Sequence, residues 1–164
     1  MPTRPAACQD ATVTTIPDAG PTKRGDFPVL RRITTRWADN DVYGHVNNVV
    51  YYEFFDTAVN GWLIEASGCD VRTLPAIGVV AETSCRFLRE LTFPDQVVVG
   101  LRLERRGTSS VVYELAIFRA VNGAAIEPAC ATGRFVHVYV DKVTRRPVPV
   151  PGPIARALDG LESR

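Results

Sequence analysis

The sequence predicts an α+β domain in which a twisted antiparallel sheet curls around one long helix and buries it on the concave side. Two observations predict this. Residues Asn48 to Ala66 carry a helical period with apolar residues over more than half of the circumference, which implies burial on several sides. From Ile77 to Val140 the chain reads as a succession of strands separated by turn signals, and short connections make such neighbours antiparallel. A sheet wrapped around the helix is the economical way to bury both.

The elements follow in order. Residues 1–25 are rich in Pro, Thr, Asp and Gly without periodicity, too little apolar surface to offset the entropy of ordering, and are expected to form a flexible arm. The domain is expected over 26–141. It opens with FPVLRRITTRW, where β-branched and aromatic residues alternate with Arg and Thr as on a strand with one solvated face. The polar turn ADNDVYGHVNN follows and runs into the helix. Glu53, Asp56, Thr57 and Asn60 form the polar stripe of that helix. Tyr51, Tyr52, Phe54, Phe55, Ala58, Val59, Trp62, Leu63 and Ala66 form its apolar face, and Gly68 supplies its stop. Four strand segments come next, the second with alternating Val97, Val99, Leu101 and Leu103, divided at FPDQ, RGTSS and VNGAA. Residues 142–164 are a Pro-rich exit with room for one short surface helix.

Composition narrows the function. A chain of 164 residues, 46% apolar, supports one core. Nineteen Lys and Arg against 18 Asp and Glu leave a net charge of +1, no global field for nucleic acid or an anionic membrane. Cys8, Cys69, Cys85 and Cys130 are widely spaced without a C-x-x-C pair, and only His45 and His137 could join them, so neither a zinc site nor another metal is expected. The apolar surroundings of Cys69, Cys85 and Cys130 read as buried free thiols and a reducing compartment. With no signal-like apolar run and no stretch long enough for a membrane span, the expected location is the cytoplasm.

Chemistry concentrates between Asp39 and Asn48. Two carboxylates, Asp39 and Asp41, precede Tyr43, Gly44 and His45 in a loop that enters the helix. A helix N-terminus offers unpaired N–H groups and partial positive charge to a developing oxyanion, and glycine permits close approach. Asp and Asn at this place also serve as caps and turn formers, and both roles stay open on spacing alone. Asn47 and Asn48 fit capping, and His45 is a secondary candidate base because it titrates near neutrality.

The string RWADNDVYGHVNNVVYYEFFDTA resembles the D-x-D-x-x-G-H-V-N-N-x-x-Y signature of hotdog-fold acyl-CoA thioesterases of the 4-hydroxybenzoyl-CoA thioesterase type. The order of elements from Phe27 to Val140 is similar as well. The resemblance implies a hotdog fold and hydrolysis of an acyl-CoA thioester. It places the catalytic carboxylate on Asp41, a more structural one on Asp39, and carbonyl-polarising N–H groups on the main chains of Asn47 and Asn48. Catalysis is therefore expected of Asp41, with His45 and Asn48 beside it, and substrate contact of Tyr43, Gly44, Val46 and Asn47. Arg105, Ser109 and Ser110 in RRGTSS offer cations and hydroxyls for coenzyme A phosphates, while a solvated hairpin tip is the plainer reading; Arg86, Arg89 and Arg119 are further candidates. Asp41 could act as general base on water or as nucleophile through a mixed anhydride. No cofactor is expected. The partner expected besides substrate is the chain itself, as a homodimer with a homotetramer left open, since a lone curled sheet leaves edges that pairing covers. Two alternatives are a hotdog enoyl-CoA hydratase or dehydratase, whose D-x-N-x-x-H spacing this chain lacks, and a non-catalytic acyl-CoA-binding protein.

Overall fold

The computed structural model describes residues 22–162. Five antiparallel strands, β1 (Val29–Thr34), β2 (Ala76–Phe87), β3 (Gln96–Arg106), β4 (Ser110–Val121) and β5 (Ala124–Asp141), form one sheet in the order β1-β3-β4-β5-β2. Helix α1 (Asn48–Ser67) lies across its concave face, so the arrangement is the hotdog fold.

Strand alternation decides what each face buries. Val97, Val99 and Leu101 of β3, and Val111, Tyr113, Leu115 and Ile117 of β4, point inward and are fully buried with Phe55, Ala58 and Val59 of α1. Ala116 and Phe118 point the other way and join Phe27 and Ala129 in a smaller convex cluster. Helix α1 seats deeply because Gly133 of β5 lies beneath the Phe55 ring, where any side chain would collide with it. Asn47 caps the helix by accepting the Val49 N–H (3.2 Å), and Gly68 ends it at φ 64°.

The buried residues of α1, from Val50 and Tyr51 to Trp62 and Leu63, cover more than half of its circumference, as the apolar period predicts, with two departures. Ala66 is exposed and Tyr52 only half-buried, while Val49 and Ile64 on the outward stripe stand in solvent. One sheet curls around only part of a helical cylinder, and the remainder stays open within a single chain.

The Pro-rich exit differs more. It is tied to the sheet by a Val140–Pro147 bridge and by N–H donation from Val148 to the Tyr139 carbonyl (3.0 Å). It ends in helix α2 (Gly152–Glu162), which is docked: Ile154, Ala157, Leu158 and Leu161 belong to the main core beside Trp62 and Leu63. An i, i+3, i+4, i+7 apolar face on a short helix is enough to close the open end of the sheet. Of the expected arm, residues up to 21 lie outside the described ones; Arg24–Asp26 form a 3-10 turn, and the Arg24 N–H donates to Glu127 Oε1 (2.9 Å). No helix among the described residues is long and apolar enough to cross a membrane.

Candidate active site

Residues 35–47 link β1 to α1, and Asp39 organises them. It is 1% exposed, within a 3-10 turn (Trp37–Asp39), and accepts the Arg36 N–H (2.6 Å) and Arg36 Nε (2.8 Å). Its carbonyl accepts the Asn47 N–H (2.8 Å). One residue thus joins both ends of the loop, and Arg36 extends the clamp to Glu53 on α1 (2.7 Å). Asn40 secures the far side, accepting the Phe93 N–H (3.0 Å) and donating to Thr92 Oγ1 (3.2 Å), whose hydroxyl donates to the Gly44 carbonyl (2.7 Å).

At the loop tip, Asp41 Oδ1 accepts the Tyr43 N–H (2.8 Å) and, more distantly, the His45 N–H (3.4 Å). The Asp41 N–H donates to the His45 carbonyl (2.8 Å), and Gly44 closes the turn at φ 85°, a left-handed conformation that glycine adopts without strain. The carboxylate is therefore oriented through one oxygen. Asp41 Oδ2 has no hydrogen-bond partner among the described residues.

At the start of α1 the two expected donors, the Asn47 and Asn48 N–H groups, differ in their pairing. The Asn47 N–H is consumed by the Asp39 carbonyl and its side chain by the Val49 N–H. The Asn48 N–H has no acceptor among the described residues, so it is the helix-terminal donor left for a ligand. Asn47 shapes this donor without being one.

Asp41, His45, Val46 and Asn48 line an open cleft of about 370 Å³, completed by Tyr51 of α1 and by Phe87, Leu88, Arg89 and Glu90 at the exit of β2. Its floor is apolar and aromatic: the Tyr51 ring stands edge-on to Phe87 at 5.0 Å, and burial pushes the Tyr51 phenol up to about 12, which keeps it neutral. His45 Nε2 lies 3.2 Å from Glu90 Oε2 on the exposed rim. Burial raises the Cys85 thiol to about 12 and raises Cys130 as well, so neither supplies a thiolate nucleophile. No group of three or more His, Cys, Asp or Glu side chains among the described residues is arranged to hold a metal ion.

The other expected residues separate. Val46 is buried in the core and its N–H donates to the Leu91 carbonyl (2.7 Å), so it anchors the loop as well as lining the cleft. Tyr43 is 82% exposed and is not among the residues lining the cleft. Arg105, Ser109 and Ser110 do not meet Asp41 in the same chain. The β1–β3 pairing sets Gln96 beside Thr34, next to the loop, whereas the β3–β4 turn lies at the other end of β3, about 33 Å away for an eleven-residue strand. That turn is engaged with the C-terminal segment, through Arg106 to Asp159 (2.6 Å) and the Val150 N–H to the Thr108 carbonyl (2.9 Å). Arg119 is occupied by Asp95 (3.1 Å) and the Glu90 carbonyl; Arg89 makes no ion pair among the described residues and lines the cleft. Tyr51, Phe87, Leu88 and Glu90 were not among the expected site residues. The run CRFLRELTFP, with bulky apolar residues persisting past the strand end, is the signal that could have shown Phe87, Leu88 and Glu90.

Comparison with known proteins agrees with this fold. A family model described as the thioesterase-like superfamily matches residues 35–158, from the start of the Asp39–Asp41 loop into α2. The fold is similar to the crystal structure of the PA5185 protein from Pseudomonas aeruginosa strain PAO1, at 48% identity over 84% of this chain and 94% of that one, with a TM-score of 0.77. It is also similar to a thioesterase from Thermus thermophilus crystallised with coenzyme A and Zn, at 31% identity over 84% of this chain and 96% of that one, TM-score 0.69. In fold alone it matches a 1,4-dihydroxy-2-naphthoyl-CoA thioesterase from Synechocystis, at 16% identity over 82% of this chain and 98% of that one, TM-score 0.72. With more than two thirds of its length matched by the family model, and with the same sheet and buried helix as these structures, the chain belongs to the thioesterase-like superfamily.

Proposed function

We propose that this protein hydrolyses the thioester of an acyl-coenzyme A to the free acid and CoA, with Asp41 as the reacting carboxylate. The observation that carries this reading is the half-satisfied state of Asp41: Oδ1 is held by loop N–H groups, Oδ2 is unbonded, and the unpartnered Asn48 N–H shares its cleft.

A thioester carbonyl set against the Asn48 N–H gains charge on oxygen as it is attacked, and the helix N-terminus stabilises that charge. Thiolate is a good leaving group, so a strong acid is not required. In one route Asp41 Oδ2 takes a proton from water, the water oxygen bonds to the carbonyl carbon, the C–S bond breaks and the proton passes to the thiolate. In the other, Oδ2 bonds the carbon itself, CoA thiolate leaves, and water then hydrolyses the acyl-aspartyl anhydride. A single turnover in ¹⁸O-water tests the second route: label entering the Asp41 carboxylate, with the product acid unlabelled, marks an anhydride that water opens at the Asp41 carbon. The coenzyme A bound to the Thermus thermophilus relative supports the substrate class, and Arg89, which lines the cleft, is the cation proposed to meet its phosphates.

The functional unit is a homodimer formed through β2. The outer edge of β2 is unpaired among the described residues, Val80, Phe87 and Leu88 are exposed on β2 and just past its end, and Val49 and Ile64 of α1 are exposed as well, apolar surface that pairing with a second copy would cover. Free thiols at Cys69, Cys85 and Cys130 support a reducing, cytoplasmic setting. Release of free thiol from a panel of acyl-CoA esters tests the activity: turnover that depends on Asp41 is expected, and formation or loss of an enoyl product without thiol release would replace hydrolysis by hydration chemistry. Light scattering tests the assembly, and a monomer mass at micromolar concentration would refute the dimer.

A further inference from the structure

A second cavity, of about 150 Å³, lies under the C-terminal half of α1, between Leu63, Leu74, Ile77 and Gly78 with His137 and Tyr139 of β5 at its base. Its walls are apolar and its base is not. Tyr113, His137 and Tyr139 all face inward from the concave side of β4 and β5 and are 0%, 2% and 3% exposed. The Tyr113 and His137 rings meet edge-on at 5.6 Å. The Tyr113 hydroxyl, His137 Nδ1 and the Tyr139 hydroxyl are buried without a hydrogen-bond partner among the described residues. The two phenols are near enough to influence one another's titration, yet neither makes a hydrogen bond of normal length and angle.

Three unsatisfied polar groups side by side are unusual in a folded core, and phenylalanine would fill the tyrosine positions without the penalty. Gly78 keeps the space above His137 and Tyr139 clear, since a Cβ there would sit 3.3 Å from His137 Nδ1 and from the Tyr139 ring. A cavity of this volume holds about one six-membered ring. We propose that His137 and Tyr139, with Tyr113 packed behind them, are the recognition floor for an acyl group whose distal end carries an uncharged hydroxyl or carbonyl. A carboxylate fits poorly, because burial holds His137 down to about 4, hence neutral, and Arg72, the one cation on the rim among the described residues, is committed to Asp70 through two 2.9 Å bonds. The groups facing His137 are Tyr113, Phe135, Tyr139 and Gly78, none of them ionised at neutral pH.

The inference rests on the homodimer reading above. Within one chain the cavity lies at the start of β2 and the Asp41 cleft at its end. Antiparallel pairing of two β2 strands about a two-fold axis sets the start of one beside the end of the other, so each floor faces the Asp41 of the partner copy.

The test compares matched esters on the full chain: hexanoyl-CoA against 6-hydroxyhexanoyl-CoA, and 3-phenylpropanoyl-CoA against 3-(4-hydroxyphenyl)propanoyl-CoA. A preference for the hydroxylated member of at least about 10-fold in kcat/KM is expected in one pair or both, with the aryl and alkyl arms showing which shape the cavity takes. Tyr139→Phe should shrink that ratio at least about fivefold while melting no lower than the wild type. Ratios near one in both wild-type pairs overturn the proposal without recourse to any variant. So does a Tyr139→Phe protein that folds and keeps the full preference. Calorimetric binding of S-hexyl-CoA and S-(6-hydroxyhexyl)-CoA, which cannot be hydrolysed, separates this inference from the proposed activity: a preference for the hydroxylated thioether in a protein that hydrolyses none of the esters supports the floor and rejects the hydrolase.

Discussion

The two ends of α1 treat polar groups in opposite ways. At its N-terminus most backbone N–H groups of the Asp39–Asn48 loop are paired, and two of the groups left over, Asp41 Oδ2 and the Asn48 N–H, belong to residues lining a solvent-accessible cleft. Beneath its C-terminal half, Tyr113, His137 and Tyr139 are sealed from water with their polar atoms unpaired. Unsatisfied groups at the wet end are cheap to hold and ready to react, whereas those at the dry end are expensive and persist only with a compensating use. The wet end is suited to chemistry and the dry end to discrimination.

The largest effect that would sharpen this contrast is at Asp41. Asp41→Asn keeps shape and removes both basicity and nucleophilicity, so kcat for thiol release should fall at least about 10²-fold while the fold is retained. Asp39→Asn should act differently: the loop clamp to Arg36 weakens and the melting temperature drops. A fully active Asp41→Asn, or an Asp41→Asn that melts as low as Asp39→Asn, would erase the distinction between a reacting and a structuring carboxylate.

Acid should act first on the dry end. His137 is held down to about 4 from an ordinary 6.5 by burial. The unfolded chain binds the proton more readily, so the stability tied to neutral His137 is fully present above about pH 6.5 and is lost as the pH falls through about 4. The total is of the order of 3 kcal/mol, the shift taken at about 1.4 kcal/mol per unit. Urea unfolding at pH 7.5 and 4.0 should show the wild type losing about that much more than His137→Phe; equal losses would mean that His137 is protonated in the fold.

A smaller effect is expected at the cap. Asn47→Ala removes the acceptor for the Val49 N–H and should cost about 1 kcal/mol in chemical denaturation. Because the Asn47 main chain only shapes the Asn48 donor, kcat should change less than the Asp41 variant by at least tenfold. The smallest change belongs to Glu90→Gln, which releases His45 on the exposed rim. Exposed pairs contribute about 0–1 kcal/mol, so stability should be unaltered and kcat/KM should shift by no more than about threefold. A larger loss in kcat/KM would promote the His45–Glu90 pair from the rim into the reaction.

Much of the wet end was legible in the sequence because its signals are local. An Asp-x-Asp turn, a glycine with positive φ and an Asn cap lie within ten residues of one another and mean much the same wherever the chain goes. The strand alternation of Val97, Val99 and Leu101 and the apolar face of α1 are equally short-ranged. The dry end was not legible: His137 reads as one polar residue in an alternating strand, and nothing nearby shows that its neighbours across the sheet are Tyr113 and Gly78. Ala66 read as core and is exposed, because a helical period marks which residues are apolar without showing how far around the cylinder the sheet extends.

The sequence by itself determined the elements, their order, the buried helix and the loop that carries Asp39 and Asp41, since each follows from propensity, periodicity or capping over a few residues. Only the tertiary structure decided which N–H the helix leaves free, that RRGTSS lies at the far end of β3, that α2 belongs to the core, and that three polar side chains meet under α1. Those outcomes depend on register and on contacts between residues far apart in the chain. Their free energies are set by burial and pairing across the whole sheet, and no local pattern encodes them.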